Sequence, residues 1–494
     1  MEPMSHRCLV DLLEGLGRSG ELARVGVEVA PDLEIAEVAC RAFEAGGPAV
    51  LFGEVAGCEI PLVAGLWGTQ ERILFALGAE DLDEAAGRLA ALAEPEGARG
   101  WLQRLRAATG QDPFAALAPR TVRSGPSQQV VRLGEDVDLG LLPALRCWPD
   151  EKAAALSGGV LTFSDHDGRT HLARHELVVL DRRRLAVVHA PFDPFAAVWE
   201  EHRHRGQPMP VAASWGGEPE QTFAAVAPLP PGIDRSGFAG VLRGKALDVL
   251  PGRTLPLHVP AEAEVVVEGF VDPAGEAAAA GPVAVPTGCC RNGAAAPVVE
   301  VTAMTQRANP VAPAMIFGAV PNEGTRLQAA LARIVKPLVT GAVPGLVDYA
   351  LPEWAAARHV VFAAVRKTFP GQARRTVCGL WSQAATLFGR VVVVVDEGVD
   401  LADAAAVGAA LAQHVDPASD VFFVAGPPDP WDPAAASVLP QRMAVDATRK
   451  LPGERSAEPA ARLGRRDAAI AAAVAERWTE YGLGIGLPGG DDGR

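Results

Sequence analysis

The chain has 494 residues, 49% of them apolar and 21% charged, with a formal net charge of −15. That length exceeds one ordinary hydrophobic core, so two or three domains are expected, and the acidic balance argues against a nucleic-acid partner, which needs a basic face. Seven cysteines at irregular spacing make neither a disulfide framework nor a zinc motif. No apolar run reaches the roughly 20 residues that span a bilayer, and Met1 to Glu14 lacks the basic start and apolar core of a signal peptide. A cytoplasmic protein without a membrane segment is expected.

Apolar residues at helical spacing predict helices over 9–16, 32–45, 71–77 and 82–92, with strands at 49–52 and 60–63 between them. Residues 1–115 thus read as an N-terminal α/β domain, without a glycine fingerprint for a dinucleotide. From about Val130 short strands punctuated by Gly, Pro and Asp take over: 159–163, 171–180, 185–189, 211–215, 247–250, 265–270 and 298–304. Helical inserts fall at 195–204 and after Glu218. Many short strands with turns predict a barrel or sandwich over 116–315. Residues 316–455 alternate helices and strands, including strands at 343–350, 359–365, 391–395 and 421–424 and a helix at 401–413. They read as a C-terminal α/β domain with a mixed or parallel sheet. The tail, 456–494, carries one helix within 460–481 and a Gly/Pro/Asp-rich end expected to be loose.

One stretch reads as an active-site loop without carboxylates. Ala277 to Cys290 follows the strand Glu264-Val-Val-Val-Glu268 and carries the Gly281-Pro282 turn, yet no titratable group lies between Glu276 and Cys289.

Several segments in order make the chain similar to the UbiD-type carboxy-lyases, which use a prenylated flavin. They include Gly65-Leu-Trp-Gly-Thr-Gln-Glu-Arg72, Leu142-Pro-Ala-Leu-Arg-Cys-Trp-Pro149, Pro228-Leu-Pro-Pro-Gly-Ile233, Phe238-Ala-Gly-Val-Leu-Arg-Gly244, Val320-Pro-Asn-Glu323 and Val445-Asp-Ala-Thr448. The resemblance covers residues 9 to 455 or so. It implies a UbiD-like fold of mixed α/β and α+β class, in which a central split β-barrel of flavin-binding type is flanked by N- and C-terminal α/β domains. It also implies a tail that helps build homo-oligomers. The cofactors it implies are prenylated FMN, manganese and a nearby potassium ion. The metal ligands are an Asn, a His and a Glu, and the catalytic network is Glu-Arg-Glu.

Carried over by position, the resemblance matches the catalytic Arg to Arg174 and the Asn to Arg169. A register two residues later uses Glu176 and His171 instead. The His position falls near Phe192 to Pro194, and the Glu ligand position is Arg235. The two catalytic carboxylates fall on Ala280 and Val285, between the kept Gly281-Pro282 and Thr287-Gly288. Arg174 and Glu176, two apart on a strand, would share one face and one cleft.

Arg235 stays protonated and has no lone pair for a metal. Three roles are open to it: an ion pair with Glu176, a bidentate contact to a phosphate, or solvent exposure. Arg174 either grips a substrate carboxylate or forms an ion pair on the barrel. His171 and His175, about 13 Å apart on a strand, cannot share one metal, whereas His171, His189 and Asp193 could converge on one or remain hydrogen-bonded structure. Cys289-Cys290 reads as a nucleophile or as two small packing residues.

Three functions follow. The first is a UbiD-fold pseudoenzyme, or an accessory subunit that pairs with an active relative. The second is a repurposed enzyme with Glu176 as general base and Arg174 or Arg235 as anion clamp. The third is an ordinary decarboxylase of an aromatic or α,β-unsaturated acid.

Overall fold

The structure, a computed structural model, describes residues 6–93, 117–191, 193–291, 295–355, 358–432, 434, 439–454 and 467–483. Met1–Arg449 form one compact unit and Lys450–Arg494 a second. In the second, Asp467 caps the helix Ala468–Glu476 through the amides of Ala469 and Ile470, and a 3-10 turn follows at Trp478–Tyr481. The loose end expected beyond residue 483 lies outside the described residues.

The N-terminal sheet runs Leu22–Val29, Ala49–Val55, Leu62–Ala64, Ala312–Ala314. The predicted helices appear as Leu9–Ser19, Glu34–Glu44, Gln70–Leu77 and Leu82–Ala93. Leu22–Val29 was not anticipated. It is an edge strand, and its burial follows no two-residue alternation, so the period-2 signal is missing.

The central sheet has nine strands. Its path is Ala155–Leu156, Glu176–Asp181, Arg184–Val188, Val298–Gln306, Ala263–Val271, Met209–Gly216, Val160–Ser164, Thr170–Arg174, with Val130–Leu133 paired off that path to Val298–Gln306. The order has a steric consequence. Thr170–Arg174 ends the sheet on one side, and Glu176–Asp181 lies one strand from the other end. Only His175 joins them. One residue spans at most about 7 Å between flanking Cα atoms, so the sheet has to curl until its ends nearly touch. That is the expected split barrel, with a seam at His175. The stretch 171–180, expected as one strand, is therefore two strands that flank the seam and pair with different neighbours. Phe163, Phe195, Met209, Trp215 and Val265 fill the interior.

The C-terminal sheet of Met1–Arg449 is mixed, in the order Leu346–Ala350, Val360–Val365, Val391–Asp396, Gln441–Asp446, Val421–Ala425. Its middle three strands are parallel and its outer two antiparallel. Among the described residues no helix is long and apolar enough to cross a membrane.

Candidate functional site

The barrel seam carries the charged residues that the sequence singled out. Arg174 closes one strand and Glu176 opens the next, and their side chains form an ion pair, 6% and 12% exposed. The Arg174 guanidinium also lies 4.7 Å from the Phe317 ring centroid. Burial pushes the Glu176 carboxyl up, only partly offset by the Arg174 charge. Between them in the chain lies His175, which lines the same cavity as both. Its Nε2 lies 3.2 Å from Asp193 Oδ1, and its Nδ1 is 3.2 Å from the Val188 carbonyl.

Asp193 has a second task. It accepts the Phe195 amide at 2.8 Å as the cap of helix Pro194–Arg205, where Pro194 sits at the first turn. Burial alone would raise its carboxyl; His175 and the Phe195 amide outweigh that and hold it low. His189 is adjacent, bonded through Nδ1 to the Ala190 carbonyl at 3.1 Å, and burial lowers its proton affinity.

These side chains line a cavity of about 360 Å³. Val283 to Pro286 form one wall, the turn Ala225 to Leu229 another, and Arg358, Phe388 and Trp431 come from the C-terminal α/β region. Arg358 is clamped by Asp429, 2.6 Å to each carboxylate oxygen, and faces the rings of Phe388 at 4.3 Å and Trp431 at 4.1 Å. Sequence reasoning missed this cluster because its members lie about 70 positions apart and match no short motif.

The carboxylate-free loop is a hairpin, Val283–Val285 against Cys289–Arg291. Gly288, at φ +78°, turns it. Val285 faces the cavity. Ala280 does not: it is 1% exposed, packed with Val178, Ala186 and Val283. A carboxylate from elsewhere holds the hairpin. Glu151 accepts the Ala284 amide at 2.9 Å and the Cys147 and Trp148 amides at 2.7 and 3.1 Å. Thr287 Oγ1 donates to the Trp431 carbonyl at 2.6 Å, tying the hairpin tip to the C-terminal region. Cys289 lies beside Thr287, Sγ to Oγ1 3.3 Å, and neither cysteine lines the cavity. Burial raises the Cys290 thiol, opposite to what a thiolate nucleophile needs.

Arg235 does not pair with Glu176, one of the roles read from the sequence. It opens the helix Arg235–Arg243, and its Nη1 donates to the Ala224 and Ala227 carbonyls at 2.7 Å each, capping the preceding helix Pro219–Val226. Pro228 has no N–H to give the Ala224 carbonyl, and the Ala227 carbonyl, which also accepts the Leu229 amide, lies at the same helix end, which explains the attraction. Asp234 caps the Arg235 helix through the amides of Ser236 and Gly237. Arg235 lines the cavity too and is also part of a neighbouring space of about 1030 Å³. That second space holds Arg169 and His171. His171 bonds to Asp165 at 3.2 Å and stacks on Phe163, so His175, not His171, joins His189 and Asp193.

A divalent metal does not fit this donor set. In the register above, two of the ligand positions carry guanidiniums, Arg169 and Arg235, which have no lone pair to give; Phe192 lies outside the described residues. Nor do the described residues contain a group of three or more His, Cys, Asp or Glu side chains placed to hold an ion.

Comparison with known proteins agrees with this architecture along most of the chain. Three domain models of 3-octaprenyl-4-hydroxybenzoate carboxy-lyase match: the N-terminal domain over residues 13–91, the Rift-related domain over 120–320 and the C-terminal domain over 325–447. The closed form of vanillic acid decarboxylase from Sedimentibacter hydroxybenzoicus has the same fold, with a TM-score of 0.85, 23% identity, and 97% of this chain and 100% of that chain covered. The UbiD-class enzyme HmfF from Pelotomaculum thermopropionicum, in complex with FMN, is 26% identical with a TM-score of 0.75 over 92% of this chain and 97% of its own. An evolved dimeric form of HmfF, in complex with prFMN, is 25% identical with a TM-score of 0.74 over the same shares, 92% and 97%. By its domain models and its fold, the chain belongs to the UbiD family of carboxy-lyases.

Proposed function

We propose that this UbiD-family decarboxylase homologue does not carry out metal-anchored decarboxylation through two glutamates, and that it serves as an accessory subunit beside an active relative. The observation that carries the reading is the hairpin wall. Val285 lines the cavity and Ala280 is buried away from it, so neither can move a proton, and Glu176 is tied to Arg174. The guanidinium of Arg235 where a metal-binding carboxylate is expected supports it further. The reading includes domain divisions near residues 115, 315 and 455. It also includes a homo-oligomer, in keeping with the dimeric form known for HmfF.

The test is metal analysis and an absorbance spectrum of the full chain, purified after co-expression with a flavin prenyltransferase, together with turnover of aromatic and acrylic acids. Sub-stoichiometric manganese and no turnover are expected. Turnover that tracks bound manganese would overturn the reading.

A specific observation favours a second reading, a repurposed enzyme. Glu176 is a buried carboxyl with raised proton affinity on a cavity wall beside Arg174, an arrangement that suits a general base next to an anion clamp. Under it, Glu176→Gln abolishes whatever turnover the chain shows; an unaffected variant counts against it.

A further inference from the structure

Arg358 is held on every side but one. It leads into the strand Val360–Val365, and Asp429 grips it from 71 positions further on. Both Asp429 oxygens are fully engaged. Oδ1 accepts Arg358 Nη2 at 2.6 Å and the Trp431 amide at 2.9 Å; Oδ2 accepts Arg358 Nε at 2.6 Å and lies 2.9 Å from His359 Nε2. Phe388 and Trp431 cover the guanidinium with their rings, at 4.3 and 4.1 Å. Nη1 is the exception. It makes no hydrogen bond among the described residues, and it is not sealed off: the Arg358 side chain stays 14% exposed in the wall of the 360 Å³ cavity. A donor fixed in this way before a ligand arrives loses little freedom on binding, which sets a recognition arginine apart from a surface one.

Charge favours an anion at this wall. Asp429 is also the carboxylate that supports Arg291 and Arg442, and Asp432 is taken by Arg390 at 2.6 Å. Four guanidiniums thus share two carboxylates among the described residues. His359 adds to that excess when protonated and leaves it unchanged when neutral. Of the four, Arg358 and Arg291 line the cavity. Arg291 donates to the His189 carbonyl through Nη1, at 3.3 Å. Arg174, at the barrel seam, is instead matched one to one by Glu176. The Nε–Nη2 edge of Arg358 is occupied, so it offers a single NH2 group rather than a fork. A carboxylate suits that supply, with one oxygen on Arg358 Nη1 and the other toward Arg291. Leu351, Ala385 and Leu387 line the same space and suit an apolar body.

We propose that Arg358, fixed by Asp429 and assisted by Arg291, is the anion clamp of this cavity, and that its ligand is an organic acid with an apolar body whose carboxylate lies at this C-terminal wall and not on Arg174. The inference goes beyond the accessory-subunit reading and does not depend on it, because binding needs no turnover.

The test is isothermal titration of the full chain with 3-phenylpropanoate and with 3-phenylpropanamide, which share a shape and differ in charge. The acid is expected to bind at least roughly 10-fold tighter than the amide. Arg358→Lys still pairs with Asp429 but spends its one ammonium there, and it is expected to cut the acid-to-amide ratio roughly 10-fold. A purely structural role for Arg358 would weaken both probes alike and leave the ratio unmoved. Arg291→Gln, at a half-buried position, leaves the Asp429 grip intact and is expected to lower the ratio roughly 3- to 10-fold. Equal binding of acid and amide, no binding of the acid up to roughly 10 mM, or a ratio unchanged in either variant overturns the inference. Turnover is read separately, with the aromatic and acrylic acids named above. Its appearance overturns the accessory-subunit reading and leaves this inference standing, whereas loss of the preference for the acid does the reverse.

Discussion

Replacing Glu176 by Gln removes the negative half of a pair whose side chains are 6% and 12% exposed. Exposed ion pairs contribute about 0.2–1 kcal/mol, whereas removing one partner of a buried pair costs about 3–5 kcal/mol, because the other charge is left uncompensated. Two features moderate the cost here. Gln keeps one acceptor oxygen for Arg174, and the guanidinium retains the face of Phe317 at 4.7 Å, worth about 0.5–2 kcal/mol. About 2–3 kcal/mol of destabilisation is therefore expected for Glu176→Gln. Arg174→Met should cost a similar amount, since it strands the carboxylate. In the double variant neither charge remains, so its cost should fall short of the sum by about 2 kcal/mol. The chain contains two compact units, so a single global transition is not the right readout. Native-state hydrogen exchange at the amides of Glu176–Asp181 reports the seam itself. A coupling energy below about 0.5 kcal/mol would refute the picture of a buried, mutually dependent pair.

Other expectations concern groups around the site. Glu220 is fully buried, neither carboxylate oxygen has a partner, and burial pushes its carboxyl up to about 8 and that of neighbouring Glu218 to about 7. Folded-state values above the unfolded one mean the native chain binds more protons. Their stabilising contribution is thus complete below about pH 4.5 and is lost as pH rises toward about 8. For Glu220, staying protonated at pH 7 costs about 3 kcal/mol. Glu220→Met should remove that cost, raise the melting temperature at pH 7 and flatten its fall between pH 5 and 8; an unchanged slope contradicts the assignment. Glu151→Gln turns an N–H donor toward at least one of three amides and should cost about 2–3 kcal/mol, seen as faster exchange at Ala284. Gly288→Ala introduces a Cβ 2.9 Å from the Gly318 carbonyl at φ +78°, and should lower stability by about 1–3 kcal/mol in a thermal melt.

Element types were largely legible because burial imposes a helical period along Glu34–Glu44 and a short continuous apolar run along Val391–Asp396. The helix Arg235–Arg243 was not read, since Gly237 and Gly240 dilute its helical signal, although Asp234 and Gly244 mark its two caps. The seam could not be read either. From His171 to Leu180 the chain looks like one continuous strand, and the change of pairing partner at His175 is a property of the whole sheet. Arg174 and Glu176 do line one cavity, but from two different strands that meet at the seam and not from one strand face. The pairing of His175 with Asp193 depends on a contact 18 positions away. Asp193-Pro194 does carry a local signal, that of a helix start. Glu151 carries none that would link it to a hairpin 133 positions later.

The single-residue step at His175 makes the barrel a closed circuit in which one joint sets the gap between its ends. Arg174 and Glu176 stand on the two sides of that joint, and their ion pair bridges it. A ligand that holds both residues in place would act as a clasp, and by linkage the occupied protein would resist opening by the free energy of binding. Conversely, a substitution that springs the strands apart far from the cavity would loosen the clasp without touching either residue.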